Sequence, residues 1–223
     1  MTEARLRNDL CRLSRSLFER GLAPGSSGNI SVRLEDGGWL ATPTNACLGF
    51  LEPDRISRLD SAGRHLSGDK PTKEIPLHAA VYDASPTSRA VVHLHSTYSV
   101  AVSILPDLNP ADMLPPLTPY QVMRCGAVAL VPYHRPGDPA VADAIRALDG
   151  RHACILLANH GPVVAGPSLE AAAFTAEELE ESAKLFVLLK DSRPRYLTRP
   201  QIDDLVATFG LAPPQAQRRR GGA

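Results

Sequence analysis

His93 and His95 stand two residues apart in the apolar run Ala90-Val91-Val92-His93-Leu94-His95. Alternate side chains of an extended strand point to one face, so a strand here projects both imidazoles together. His160 follows a second apolar run, Ala153 to Ala158, and precedes Gly161, the kind of strand end where loops assemble sites. Three neutral imidazoles with one coordination position left open suit a catalytic zinc, or another divalent ion of similar ligand preference. For any single histidine, a hydrogen-bonded core or surface residue is the simpler reading. The His-x-His pair on a buried strand, taken with the strand-end His-Gly, is what favours a metal.

Glu74 opens a helix directly after Lys70-Pro71-Thr72-Lys73. A carboxylate there complements the helix dipole, so simple charge complementarity and acid/base chemistry both stand as readings. His78 lies one turn on, on the same face, where it could pair with Glu74, and it reads as structural. His65, His134 and His152 fall in polar turns or loops and read as surface residues. Three small turns rich in donors, Ser26 to Asn29, Thr42 to Asn45 and Pro71 to Lys73, expose N–H groups and hydroxyls. Together these could cradle a phosphate monoester, with Lys73 as a point charge, although each alone is also just a turn. No G-x-x-x-x-G-K-[ST] or G-x-G-x-x-G run occurs, so nucleotide binding has no support.

The elements that must hold these residues read as an α/β mixture. Leu6, Leu10, Leu13, Leu17 and Phe18 recur at helical spacing over residues 3 to 20, with Gly21 as the stop. The runs 30 to 34 and 38 to 42, parted by Asp36-Gly37, predict a β-hairpin. Helices are expected over 74 to 84, 97 to 105, 139 to 148 and 167 to 190, and strands over 90 to 95, 127 to 131 and 153 to 158.

With 223 residues, 43% apolar and 22% charged, the chain suits a single domain, placed at 1 to 212, with residues 213 to 223 as a disordered tail. Its 24 basic and 24 acidic residues balance, which argues against nucleic acid or an anionic membrane as a bulk partner. The four cysteines form no C-x-x-C pair, and no segment reads as a signal peptide or membrane span. The expected setting is a reduced cytoplasm.

In order and spacing, Ser27-Gly28-Asn29-Ile30-Ser31, Thr42-Pro43-Thr44, Pro71-Thr72-Lys73-Glu74, His93-Leu94-His95 and Asn159-His160-Gly161 resemble the class II aldolase/adducin superfamily. The resemblance spans roughly residues 5 to 190, nearly the whole domain. It implies an α/β/α sandwich around a largely antiparallel central sheet, and a homotetramer with its active site near a subunit interface. It also implies one Zn2+ or other divalent ion per subunit, held by His93, His95 and His160. Glu74 becomes the acid/base, and a metal ligand when no substrate is bound. Gly28, Asn29, Thr44, Asn45, Thr72 and Lys73 become the phosphate and substrate cradle. Aldolases of the superfamily often carry a glycine at the place of Asn45 and a second serine at that of Lys73, which argues against a plain fuculose-phosphate aldolase.

Leu117 to Met123 and Val131 to Asp138 are similar to the branch that decarboxylates 3-oxo-tetronate 4-phosphate. That branch implies loss of CO2 through an enediolate stabilised by the metal, with dihydroxyacetone phosphate as product. Tyr120 then reads either as the proton donor or as a buried tyrosine capping a loop. An aldolase or an epimerase acting on a ketose phosphate is the alternative. A non-catalytic adducin-like module is a more distant one, since its ligands would be eroded and here all three histidines and Glu74 are present.

Overall fold

A computed structural model describes residues 2–211; the tail expected at 213 to 223 lies outside the described residues. Helix α1 (Glu3–Glu19) starts where the Thr2 hydroxyl accepts from the Arg5 N–H, and it stops two residues before Gly21, whose positive φ of 78° suits glycine. Its stripe Leu10, Leu13 and Leu17 is buried. Strands β1 (Asn29–Arg33) and β2 (Trp39–Ala41) form the expected antiparallel hairpin, with the Asp36 carboxylate accepting from the Gly38 N–H in the turn. Two short strands follow, β3 (Ser57–Leu59) and β4 (His65–Ser67), then helix α2 (Ile75–Ala84) with Glu74 as its N-cap.

Strand β5 (Ala90–His93) leads into α3 (Thr97–Ile104), and α4 (Pro119–Arg124) precedes β6 (Val128–Val131) and α5 (Ala140–Arg146). Strands β7 (Cys154–Leu157) and β8 (Gly161–Gly166) are joined by a tight turn, and α6 (Leu169–Leu189) and α7 (Arg199–Phe209) complete the described chain. The eight strands make one sheet in the order β4-β3-β2-β1-β5-β8-β7-β6, and every pairing is antiparallel except β6 with β7.

Strand alternation divides the core into two layers. Ala90, Val92 and Leu94 face one side with Leu10, Leu17, Val102 and Leu179, from α1, α3 and α6. Val91, Ile155 and Val163 face the other with Leu77, Val81 and Ile145, from α2 and α5. The result is an α/β/α sandwich, and each fully buried aliphatic side chain stabilises it by roughly 1.5–3 kcal/mol. Among the described residues no helix is long and apolar enough to cross a membrane.

The expected strand over 90 to 95 ends at His93, though the Leu94 N–H still reaches the Pro162 carbonyl at 3.1 Å, so the ladder guides the chain one residue further. Strands β3, β4 and β8 and helices α4 and α7 were not expected. Strand β4 is exposed at every position, so it carries no hydrophobic pattern to read, and α7 buries no residue.

Candidate metal centre

The centre lies at one end of the sheet, where β1 begins and β5 ends. Asn29 sits directly opposite His93 in the β1–β5 ladder. His93 is fully buried, and its Nδ1–H donates to the Pro162 carbonyl at 2.9 Å. That bond fixes the tautomer and leaves the Nε2 lone pair free, and this buried atom has no hydrogen-bond partner.

His95 lies just beyond the strand, on the same side as His93, with ring centroids 5.1 Å apart. Its backbone is held from the far side of the sandwich. Buried Glu180 of α6 accepts from the Tyr98 and Ser99 N–H groups and from the Ser99 hydroxyl, which anchors the first turn of α3.

His160 comes from the β7–β8 turn. Asn159 takes the left-handed conformation there (φ 58°), which Asn tolerates well, and the His160 N–H closes the turn on the Leu157 carbonyl. The turn points the ring at the other two histidines, 4.8 Å from each, centroid to centroid. The Nε2 atoms of His95 and His160 approach to 3.2 Å, and one ligand nitrogen from each ring lies within 4.8 Å of the others. Glu74 faces this cluster with both oxygens: Oε2 is 3.4 Å from His93 Nε2, and Oε1 is 3.9 Å from His160 Nε2. Three imidazole nitrogens, one of them orphaned in the interior, and a carboxylate make a donor set that fits zinc or a similar divalent ion.

The electrostatics favour a cation. Burial, then the neighbouring imidazoles, pull His95 down to about 4, and burial followed by His93 lowers His160. Burial pushes the Glu74 carboxyl up, but His93, the Asn29 hydrogen bond, His160 and His78 outweigh it, and the group ends below its ordinary value. At neutral pH, His95 and His160 therefore offer uncharged nitrogens beside an ionised carboxylate.

His78, read as structural, is buried, and its ring bonds Asn29 and Ser31 rather than Glu74. Its Nε2 lies 2.5 Å from Asn29 Oδ1 and its Nδ1 lies 2.7 Å from Ser31 Oγ. Asn29 Nδ2 in turn donates to Glu74 Oε2 at 2.7 Å.

The three donor-rich turns gather at this same end of the sheet. A bridge between Pro43 and Pro71 sets the Thr44-Asn45 turn beside the Thr72-Lys73 turn, with the Thr44 N–H on the Lys70 carbonyl and the Thr72 N–H on the Thr42 carbonyl. Gly28 has φ 80°, and a Cβ there would stand 3.0 Å from the His93 carbonyl oxygen, so only glycine lets this turn approach β5 so closely. Thr72 is buried, whereas Asn45 and Lys73 are exposed.

Tyr120 lies elsewhere in the chain. It is 60% exposed on α4, which packs on α6 and α7, so it is not the buried loop cap that was one of its two readings. Its neighbour does that work, since the buried Gln121 accepts from the Leu117 N–H at 2.7 Å. His65 is exposed on β4, while His152 is partly buried and ties its loop to the Ala127 carbonyl.

A sheet that is antiparallel but for one pair, clad by helices on both faces, with three histidines and a glutamate meeting at one end, is the architecture of a class II aldolase. Residues 8–187 match the family described as the class II aldolase and adducin N-terminal domain, and the chain belongs to that family. It is 51% identical over 203 residues to 3-oxo-tetronate 4-phosphate decarboxylase of Escherichia coli K12, covering 91% of this chain and 96% of that protein. It is also 36% identical over 177 residues to the L-fuculose phosphate aldolase of Methanocaldococcus jannaschii, covering 79% of this chain and 93% of the other. The crystal structure of YgbL from Escherichia coli superposes with a TM-score of 0.89 at 50% identity, covering 91% of this chain and 98% of that one.

Proposed function

We propose that this chain is a divalent-metal carboxy-lyase that converts 3-oxo-tetronate 4-phosphate to dihydroxyacetone phosphate and CO2. The observation that carries the reading is the cluster of His93, His95 and His160 with Glu74 directed into it. The likeness at 51% identity to a decarboxylase of that substrate over nearly the full chain supports the substrate class.

The three histidines would hold the ion, zinc by the preference of the donor set, with Glu74 as a further ligand when no substrate is present. When bound, the ion supplies Lewis-acid stabilisation of oxygens that become anionic. The substrate is a β-keto acid. Breaking its C1–C2 bond releases CO2 and leaves the electron pair conjugated with the C3 carbonyl, and a proton added at C2 completes the product.

Glu74, ionised and directed inward, takes and returns the C2 hydroxyl proton. Tyr120, exposed on α4, delivers a proton to C2 in a site completed by a neighbouring copy. That role fits a homotetramer, for which exposed Phe50 and Tyr133 supply apolar surface.

Gly28, Asn29, Thr44, Asn45, Thr72 and Lys73 orient the phosphate. Gly28 and Asn45 support this with left-handed backbone, a conformation from which anion-binding turns are built. The Asn29 side chain has one amide hydrogen committed to Glu74, which leaves one for the substrate. A cytoplasmic setting belongs to the same reading, supported by four free thiols.

The second reading is a ketose-phosphate aldolase, which the 36% identical relative favours and which needs the same anion-stabilising centre. Incubating the zinc-loaded protein with 3-oxo-tetronate 4-phosphate and with five- and six-carbon ketulose phosphates separates the two. CO2 release from the first substrate is the expected result, and aldehyde release from a ketulose phosphate without CO2 release from the oxo acid would replace it.

A further inference from the structure

Behind Glu74 runs an unbroken chain of buried polar groups. Glu74, His78 and Tyr82 recur every four residues along one face of α2 and its cap, while Asn29 and Ser31 recur every two along β1. Four residues of helix rise about 6 Å and two residues of strand about 6.6 Å, so the two rows interleave in step. The contacts are Glu74 Oε2 to Asn29 Nδ2 at 2.7 Å, Asn29 Oδ1 to His78 Nε2 at 2.5 Å, His78 Nδ1 to Ser31 Oγ at 2.7 Å, and Ser31 Oγ to Tyr82 OH at 2.8 Å. Asn29, Ser31, His78 and Tyr82 are all buried.

With His78 neutral, only one arrangement of protons satisfies every link. An ionised carboxylate accepts and cannot donate, so the Asn29 NH2 must face Glu74 and its carbonyl must face His78. His78 then carries its proton on Nε2 and accepts the Ser31 hydroxyl proton at Nδ1. Ser31 in turn accepts from the Tyr82 hydroxyl. A flipped Asn29 would set its carbonyl against the Glu74 carboxylate and leave a buried repulsion.

Resting on the function proposed above, we infer that His78 is a positioning residue. It acts through Asn29 to hold the Glu74 carboxylate in the direction that meets the three histidines.

His78→Leu removes the donor, and His78→Gln keeps an N–H where Nε2 stands. The expected result for His78→Leu is a fall in kcat of about 10- to 100-fold with KM and metal content unchanged. His78→Gln recovers most of that loss, and His78→Leu added to Glu74→Gln costs nothing further on the residual turnover. Equal impairment in the leucine and glutamine variants, or a full additional loss in the Glu74→Gln background, overturns the inference, because either shows that His78 only fills space.

Nitrogen-15 NMR of histidine-labelled protein gives a readout independent of turnover and needs no folded leucine variant. It should find the His78 Nε2–H tautomer in the native chain and lose that preference in Asn29→Ala. A fixed Nδ1–H tautomer in the native chain refutes the relay. If the native enzyme releases no CO2 yet shows the expected tautomer, the substrate assignment has failed and the relay stands.

Discussion

At the scale of single residues, the centre depends on imidazoles that stay neutral well below their ordinary range. Burial pulls His78 down to about 3. In the unfolded chain the same group takes up a proton near its reference value of 6.5, so between 6.5 and about 3 the unfolded state binds the extra proton. Stability therefore falls as the pH drops through that window, by up to about 1.4 kcal/mol per pH unit for the one group. His95 acts in the same direction but more weakly, because it is partly exposed and its charge is screened. Glu74, lowered from 4.5, adds to the loss below that value. Urea unfolding of the metal-free protein at pH 7.5, 6.5 and 5.5 should show the decline, and His78→Gln, which has no proton to take up, should flatten it by close to one proton's worth. An unchanged slope in the variant would mean that His78 does not stay neutral in the fold. His95→Ala, by contrast, should leave the fold intact while abolishing both bound metal and turnover. Elemental analysis beside the CO2 assay checks this, and an active, metal-free variant would remove the centre from the mechanism.

At the scale of elements, the β7–β8 turn decides whether His160 meets its partners. A Cβ on Gly161 would lie 2.2 Å from the Leu94 carbonyl oxygen and 3.4 Å from the His95 Cα, both of them backbone atoms with no freedom to withdraw. Gly161→Ala must therefore push β8 away from β5 at the point where His93, His95 and His160 converge. The expected outcome is a loss of about 1–3 kcal/mol in stability, with a fall in metal affinity larger than that of an alanine placed at exposed Gly126, where the positive φ of 58° is strained but nothing lies within 4 Å. Thermal melts and a zinc titration of the two variants measure both effects.

The same turn shows where sequence reading stopped. His-x-His on an apolar strand and the His-Gly at a strand end were legible because period-2 alternation and burial leave a pattern in residue types. Strand β8 was hidden by Gly161-Pro162, which reads as a breaker, although Pro162 needs no N–H there and its carbonyl serves both Leu94 and His93. Helix α7 buries nothing among the described residues, yet Ile202, Leu205, Val206 and Phe209 recur at helical spacing, so a stripe was there to read. The Thr198-Arg199-Pro200-Gln201 start also carried a signal, since Gln201 Oε1 accepts from the Thr198 N–H at 2.8 Å, as a capping box requires. The pairing of Asn29 with His93 across 64 residues of chain follows from sheet register, which no local pattern encodes; likewise, helix and strand periods alone could not show that Asn29 would lie between Glu74 and His78.

At the scale of the whole molecule, the centre is a clasp between parts of the chain that meet only in the finished sheet. His95 and His160 are 65 residues apart, one following the central strand β5 and the other in the β7–β8 turn, and Glu74 approaches from the helix layer on the α2 side. The unfolded chain does not present this donor set, so an ion bound there stabilises the native state by mass action. With free zinc at about 100 times its dissociation constant, the gain is about 2.7 kcal/mol. For a domain of this size each kcal/mol moves the melting temperature by roughly 2–4 °C, so chelation should lower it by roughly 5–10 °C. His95→Ala should melt at one temperature with or without chelator, and Lys73→Ala, which alters an exposed cradle residue and no ligand, should keep the native shift. Differential scanning calorimetry of the three proteins with and without chelator measures this directly. A native protein whose melting ignores the chelator, or an alanine variant at His95 that still responds to it, would place any bound ion somewhere other than between these strands.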